Sequence, residues 1–212
     1  MQPSSTRPTN IYQLKISLLG ISPMIWRRLL VHSDSSIADL HHFIQIAMGW
    51  EDIHLHRFTI HGQEYGIYRC GGIWFDSDAH QLKLHHFGLR RNEKFRYDYD
   101  FGDDWRHEIR VEAILPVENN KTYPVCTAGK RAAPLEDCGG VEGYLERQQD
   151  VPLQTVELFS QKLADQTAWS EDEQDVLRDL LPWLDLECFD RHAVNRRLRL
   201  YAEEDEAWLF AP

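Results

Sequence analysis

The sequence predicts an α+β fold: a mainly antiparallel sheet with a short N-terminal helix and a C-terminal helical segment. Three observations support this prediction. Apolar and polar residues alternate in several segments before residue 116, which is the period of a strand. One strong helical pattern lies near residue 40, and after Gly140 the apolar spacing becomes helical. Strands that come first and helices that come last favour α+β over a parallel sheet.

Before residue 93, alternation and capping residues define three strands and one helix. Ser33 to Ser36 offer helix N-caps, and Gly49 provides a stop after a run of apolar residues at helical spacing. The predicted elements are strands at residues 12–18, 24–31 and 54–60 and a helix from Ile37 to Met48, with a turn at 61–64 and irregular chain at 66–92.

The clearest element is a hairpin from Phe95 to Leu115. Because side chains alternate along a strand, its two aromatic faces coincide only if the loop has an odd number of residues. A loop of three residues, 102–104, meets this condition and is common in hairpins. It predicts three cross-strand pairs: Phe101 with Trp105, Tyr99 with His107, and Asp100 with Arg106.

The rest of the chain reads as a long connection followed by helices. Residues 116–140 contain three prolines and a glycine pair, so we expect a loop, and a loop of this length usually has a function. Helices are predicted at residues 141–148, 155–165, 170–181 and 191–202. We expect a single domain over 11–212, with a sheet-rich part at 11–140 and a helical part at 141–202, after a loose tail at 1–10.

Composition argues against several classes of protein. The 212 residues include 23 Lys and Arg against 34 Asp and Glu, a net charge of −11, which disfavours indiscriminate binding to nucleic acid or anionic lipid. No apolar run approaches the ~18 residues of a membrane span, and the N-terminus lacks a secretory signal. We therefore expect a cytoplasmic protein with no membrane partner, whose four cysteines are reduced thiols.

Short blocks of distinctive sequence lie around the hairpin, the following loop and both ends of the domain. They are residues 25–28, 54–58, 97–109, 123–126, 129–132, 134–140, 189–190 and 194–198. Together they resemble the plasmid pRiA4b open-reading-frame-3-like family over most of residues 11–200, and the acidic turn and the paired-glycine loop are the most specific blocks. One departure is Leu135, where members often carry a second proline.

The resemblance implies an α+β fold and a link to mobile DNA. Members occur on chromosomes, plasmids and insertion elements, and some are labelled as resolvase-like transposon passengers. The resemblance assigns no catalytic residues to positions of this chain.

Two pairs of residues are candidate metal ligands. His54 and His56 are two apart on a predicted strand, so both imidazoles would face the same way and could share an ion. Cys126 and Cys138 bracket the long loop, where zinc could hold the chain together, so zinc is the candidate cofactor. The alternatives are hydrogen-bonded core histidines and buried cysteines that act as small apolar residues.

The hairpin turn and the loop after it form a candidate binding pocket. Its predicted members are Tyr99, Asp103, Asp104, His107, Arg131, Glu136 and Asp137. We expect the loop to pack back beside the aromatic face of the hairpin, with the Arg131 guanidinium bound to Asp103 or Asp104 through two hydrogen bonds. The alternative is structural, because aspartates beside glycine are common turn formers and His107 is flanked by apolar residues.

Two basic clusters could contact nucleic-acid phosphates. One is formed by Arg191, Arg196, Arg197 and Arg199, and the other by Arg90, Arg91, Lys94 and Arg96. The alternative is that they neutralise the acidic remainder of the chain, and no helix-turn-helix pattern is present.

Two classes of function follow. The leading hypothesis is a non-enzymatic binding or accessory protein, linked to plasmids and mobile elements by the family resemblance, whose partner and ligand stay open. The alternative is a metal-dependent, hydrolase-like enzyme, with its His/Asp cluster formed by His54, His56, Asp103, Asp104 and His107.

Overall fold

A computed structural model of the chain describes residues 9–209, which form one antiparallel sheet and four α-helices. The strands are β1 (Asn10–Leu18), β2 (Trp26–His32), β3 (His56–Ile60), β4 (Gln63–Tyr65), β5 (Lys94–Tyr99), β6 (Trp105–Pro116) and β7 (Val125–Lys130). The helices are α1 (Ile37–Met48), α2 (Gly140–Asp165), α3 (Glu171–Leu184) and α4 (Arg191–Ala202). The strand order is β4-β3-β5-β6-β1-β2-β7, which confirms the predicted α+β class.

The first helix begins and ends where the sequence predicts. Ser36 Oγ accepts a hydrogen bond from Asp39 N at 3.0 Å, and Asp39 Oδ2 accepts one from Ser36 N at 2.7 Å, which is a capping box. Gly49 ends the helix in the left-handed conformation, with φ of 81°. The apolar face of α1 packs on the sheet in the main hydrophobic core.

The predicted register of the hairpin is wrong by two residues. Tyr99 pairs with Trp105, and Tyr97 pairs with His107, so the loop has five residues, 100–104, and Phe101 lies exposed within it. The loop is longer because Asp100 and Asp104 both adopt left-handed backbone, with φ of 55° and 56°. The aromatic faces still coincide, because five is also an odd number.

The long connection contains a strand that the sequence did not reveal. Within residues 116–140, β7 pairs with β2 and extends the sheet. Its sequence, VCTAGK, follows a proline and lacks clear alternation, and a pairing shift between Arg28 and Leu29 marks an irregularity in the ladder.

The helical part differs from the prediction in two places. α2 is one helix of 26 residues that runs through Pro152, where we expected a break, and α3 continues through Pro182 to Leu184. Each proline removes one backbone donor, yet helix continues on both sides. α4 has the predicted bounds, and Asp190 caps it by accepting hydrogen bonds from the backbone of His192 and Ala193. Among residues 9–209, no helix is both long enough and apolar enough to cross a membrane.

Candidate functional site

Three loops meet beside the turn of the central hairpin, and we call this region the loop junction. It consists of residues 50–55 after α1, residues 100–104 of the hairpin turn, and residues 131–139 before α2. The first two are joined by a hydrogen bond from Asp100 N to Leu55 O at 2.9 Å. The junction therefore brings together segments that are far apart in the chain.

The third loop is bound to the other two, and its packing on the hairpin is as the sequence predicts. Trp50 Nε1 donates to Pro134 O at 2.9 Å, and Gly139 N donates to Asp103 Oδ2 at 3.2 Å. Gly140 lies so close to the turn that a Cβ atom would overlap Asp103 O. The loop thus packs across the hairpin turn and beside its aromatic face.

Tyr99 lies at the centre of the junction. Its hydroxyl donates a short hydrogen bond to Glu136 Oε1 and accepts a weak one from His54 N at 3.4 Å. Glu136 Oε2 in turn accepts a hydrogen bond from Glu51 N at 2.7 Å. Burial, followed by the neighbouring Glu136 carboxylate, raises the pKa of Tyr99 well above its usual value, so the phenol stays protonated and donates.

One nitrogen and two carboxylates converge at the solvent side of the junction. His54 Nε2 lies 3.2 Å from Asp137 Oδ1 and 3.6 Å from Asp100 Oδ2. The other oxygen of Asp100 accepts a hydrogen bond from Gly102 N at 3.0 Å, which fixes the carboxylate. Asp100 is buried, whereas Asp137 is exposed, so the group is open on one side.

The nitrogen of His54 is the notable atom in this group. Nε2 is buried and forms no hydrogen bond of acceptable geometry with any of residues 9–209, although two carboxylate oxygens face it. The ligand atoms of His54, Asp100 and Asp137 lie within 4.8 Å of one another, which is close enough to share one metal ion. A protonated His54 that forms two ion pairs is the alternative use of the same geometry.

A second cluster lies deeper, under the junction, and it is a continuous hydrogen-bond chain. Gln45 Nε2 donates to Tyr97 Oη at 2.9 Å, Tyr97 Oη lies 2.8 Å from His41 Nδ1, and His41 Nε2 lies 2.7 Å from Asp52 Oδ1. These contacts are all satisfied if Tyr97 donates to His41 and His41 donates to Asp52. Burial lowers the pKa of His41 well below its usual value, which favours this neutral form.

His56 completes the deeper cluster. Its ring stacks on His41, with centroids 3.5 Å apart, and its Nε2 accepts a hydrogen bond from Ile67 N at 3.2 Å. His41, Asp52 and His56 are near enough to hold a metal, but both His41 nitrogens are engaged and Arg69 Nη2 lies 2.5 Å from Asp52 Oδ1. A bound guanidinium opposes a second cation, so the arrangement favours a neutral structural hub.

The structure separates the predicted histidine pair. β3 begins at His56, so His54 lies in the preceding loop, and the two imidazoles join different clusters. His107 is fully buried below Trp50, with Nδ1 3.2 Å from Tyr97 O. Burial lowers the pKa of His107 to about 4, so it is a neutral core residue.

The predicted pairing of Arg131 with the turn aspartates is wrong. The buried Arg131 guanidinium binds Glu187 Oε1 at 2.7 Å and Pro23 O at 2.6 Å, because its left-handed backbone, with φ of 67°, turns the chain at the end of β7. Asp104 instead pairs with Arg106 on the surface. Of the predicted pocket, the side chains of Tyr99, Asp103, Glu136 and Asp137 therefore meet at the junction. Asp104 and Arg131 belong to the junction loops, but their side chains bind elsewhere, and His107 lies in the core.

The two loop cysteines lie apart from any cluster of metal-ligand type within residues 9–209. Cys126 is buried in β7, where its thiol lies 3.5 Å from Ala128 O, and burial raises its pKa. Burial also raises the pKa of Cys138 to about 11. Thiols with raised pKa values are poor sources of the thiolate that zinc requires.

The two basic clusters do not form one patch. Three strands separate β5, which carries Lys94 and Arg96, from β7, against which α4 packs. Several of the cations are engaged: Lys94 pairs with Glu108, and Arg197 Nε donates to Trp208 O at 2.9 Å. Arg191 Nη1 also donates to Thr127 O at 2.8 Å.

Sequence reasoning missed His41, Asp52 and Asp100. His41 occupies an apolar position of α1, so its spacing indicated only a core residue. In the structure, the two missed aspartates share left-handed backbone with the predicted Asp137, with φ of 60° at Asp52, 55° at Asp100 and 56° at Asp137, and this conformation is not visible in the sequence. Left-handed backbone at residues other than glycine tends to cluster at functional sites.

The fold and the site together define an α+β protein with a single antiparallel sheet and a polar junction of three loops. The chain belongs to the plasmid pRiA4b ORF-3-like protein family, whose model matches residues 10–197. It is similar to the uncharacterized protein y4hQ of Sinorhizobium fredii (strain NBRC 101917 / NGR234), with 32% identity over 140 residues, 65% of this chain and 71% of that protein. It is also similar to the crystal structure of MM3350, a protein of unknown function from Methanosarcina mazei Go1, with a TM-score of 0.65, 36% identity and coverage of 88% of this chain and 97% of that one.

Proposed function

We propose that this protein is a binding protein whose functional centre is the loop junction, where His54, Asp100 and Asp137 hold a divalent metal ion. The observation that carries the proposal is the buried His54 Nε2, which faces two carboxylate oxygens at 3.2 and 3.6 Å without a hydrogen bond of acceptable geometry to residues 9–209. An ion would satisfy this nitrogen and both carboxylates at once.

The chemistry of the three ligands supports a transition metal. One imidazole nitrogen and two carboxylate oxygens suit Zn²⁺ or Mn²⁺ better than Ca²⁺, which prefers six or more oxygens. Because Asp137 is exposed, the ion would keep open positions for water or for a ligand. Tyr99, with its proton directed at Glu136, would form the wall of the same site.

Binding is a better interpretation of this site than catalysis. The hydrolase-like hypothesis requires His54, His56, Asp103, Asp104 and His107 to lie together, and the structure distributes them among separate surroundings.

We also propose an accessory role in mobile DNA. The support for this role is the description of the family, which names a plasmid. Deleting the gene should then change plasmid maintenance or transposition frequency in its host, and restoring it should reverse the change. An unaltered frequency would count against the role and would leave the metal site untouched.

Calorimetric titration of the apo protein with Mn²⁺ and Zn²⁺ tests the site. We expect one ion per chain, and at least about tenfold weaker binding in Asp137→Asn and in Asp100→Asn, since each loses a charged ligand. Asp104→Asn is the matched control, because Asp104 belongs to the same turn but pairs with Arg106. Absence of binding, or an equal loss in the control, would reject the metal site.

A further inference from the structure

A second cavity, separate from the loop junction, is formed by one stretch of irregular chain. It lies within residues 66–80 and has a volume of about 400 Å³. Its lining includes Tyr68, Trp74, Phe75, Asp76, Asp78 and His80. The cavity thus combines aromatic rings with carboxylates, and no Lys or Arg is among its lining residues.

Two aromatic rings form exposed walls of this cavity. Trp74 is 74% exposed and Tyr68 is 54% exposed, and their rings meet edge to face with centroids 5.3 Å apart. By contrast, Trp50 and Trp105 are buried in the core. An exposed aromatic pair of this kind does not contribute to the core, so burial in the fold does not explain it.

The floor of the cavity is packed against the rest of the fold. Phe75 is buried, and it packs so closely on Gly66 that a Cβ there would lie 2.7 Å from the Phe75 ring and 3.1 Å from His56 O. The segment is also anchored to the deeper histidine cluster, since Ile67 N donates to His56 Nε2 and Arg69 Nη1 donates to Asp52 O at 2.7 Å. The cavity is therefore held in place before any ligand arrives.

The charges that face the cavity are negative. Asp78 Oδ1 accepts a hydrogen bond from His80 N at 2.9 Å, which shapes a turn in the wall. Asp76 is exposed and forms no ion pair with another of residues 9–209. Arg69, the nearest arginine in the sequence, directs its guanidinium away to Asp52. The carboxylate of Asp76 is thus available to a cation in the cavity.

From these features we infer that the cavity binds a small organic cation, an alkylated ammonium group. Such a group gains attraction from the faces of Trp and Tyr rings, and its methyl groups also bury apolar surface. A nearby carboxylate adds selectivity for charge. A bare metal ion would not suit this cavity, because, among residues 9–209, its Asp76, Asp78 and His80 do not form a group of three with ligand atoms close enough to share one ion. The inference is therefore independent of the metal site at the loop junction.

Calorimetric titration with choline tests this inference, because choline has a neutral isostere, 3,3-dimethylbutan-1-ol, that differs in charge. We expect choline to bind weakly, on the order of millimolar, and the isostere to bind at least about tenfold more weakly. A peptide with one trimethylated lysine forms the second arm, and tighter binding of that peptide would identify a protein side chain as the source of the ammonium group.

Variants of the cavity sharpen the test. Trp74→Ala should weaken choline binding about tenfold, Trp74→Phe should restore part of it, and Asp76→Asn should weaken choline but not its isostere. Asp165→Asn is the control, because it removes one exposed carboxylate at the end of α2, remote in sequence. Since Trp74 is exposed, its variants should keep the wild-type melting temperature. Equal binding of choline and isostere, unchanged binding in Trp74→Ala, or no binding in either arm would overturn the inference.

Discussion

At the scale of single residues, three buried histidines make stability depend on pH. Burial lowers the pKa of His41, His56 and His107 in the folded protein, to about 4 for His107. In the unfolded chain each imidazole titrates near its ordinary value of about 6.5. The unfolded state therefore binds more protons below that pH. The stability that these groups contribute is complete above about pH 6.5 and is lost as pH falls towards the folded pKa.

Urea unfolding between pH 7.5 and 5 should show this loss directly. For His107 alone, a folded pKa of about 4 corresponds to about 2 kcal/mol of unfolding free energy lost by pH 5. His107→Gln, which does not titrate, should reduce the slope of the unfolding free energy against pH. The reduction should correspond to at most one proton bound on unfolding. A wild-type slope in His107→Gln would contradict the assignment of a neutral, buried imidazole.

Side-chain alternation predicted the buried face of the hairpin but not its register. Tyr97, Tyr99, Trp105 and His107 share the buried face as expected, because period two is a local property of each strand. The register depends on loop length, and loops of three and five residues satisfy the same alternation. The choice between them rests on left-handed backbone at Asp100 and Asp104, which aspartate permits but does not require.

At the scale of elements, capping residues and apolar spacing each predicted one helix with its bounds. Ser36 and Gly49 marked the ends of α1, whereas α4 was predicted from apolar spacing and its cap, Asp190, was found only in the structure. α2 is one continuous helix, although the sequence predicts two shorter helices on either side of Pro152, a residue that usually interrupts a helix. β7 was hidden because an edge strand depends on pairing with β2, which is not visible in its own sequence.

The helices also differ in how far they depend on the core. In α2, Leu163 is 77% exposed, whereas Leu198 of α4 is 0% exposed and belongs to the main core. Leu198→Ala should therefore lower the unfolding free energy by about 2 to 5 kcal/mol, while Leu163→Ala should change it by less than about 0.5 kcal/mol. Denaturant melts of the two variants measure this, and similar losses would mean that the exposed face of α2 is covered in solution.

At the scale of the whole molecule, blocks that are distant in sequence meet in two places. One is the loop junction, which unites the acidic hairpin turn with the paired-glycine loop. The other lies where Arg27 stacks on the Phe189 ring, with the guanidinium carbon 3.9 Å from its centroid. There, Asn195 of α4 exchanges two hydrogen bonds with the backbone of Cys126, at 2.7 and 2.9 Å, and so satisfies the edge strand β7. The sequence blocks that resemble the family therefore lie in two places. One is the polar loop junction, and the other is the contact among β2, β7 and α4, which we call the clamp.

Two glycines allow the junction and the clamp to be tested separately. Gly140 permits close packing at the junction, and Gly129 permits close packing at the clamp. A Cβ at Gly140, where φ is +68°, would overlap Asp103 O, and a Cβ at Gly129 would overlap the Phe189 ring. Gly140→Ala should displace the loop that carries Asp137, so that Mn²⁺ or Zn²⁺ affinity falls at least about tenfold while the unfolding free energy falls by about 1 to 2 kcal/mol. Gly129→Ala should lower the unfolding free energy by about 1 to 3 kcal/mol and leave metal affinity unchanged.

Both quantities should be measured on both variants, with the nuclear magnetic resonance signal of the Trp50 indole N–H as a third readout. That N–H donates to Pro134 O, so its signal should shift in Gly140→Ala and stay in place in Gly129→Ala, whether or not a metal is bound. Two variants that change all three readouts alike would show that the junction and the clamp form one cooperative unit. We expect the two variants to differ in metal affinity and in the Trp50 signal. The contacts that hold the 131–139 loop on the hairpin turn are local, whereas the clamp joins β2, β7 and α4.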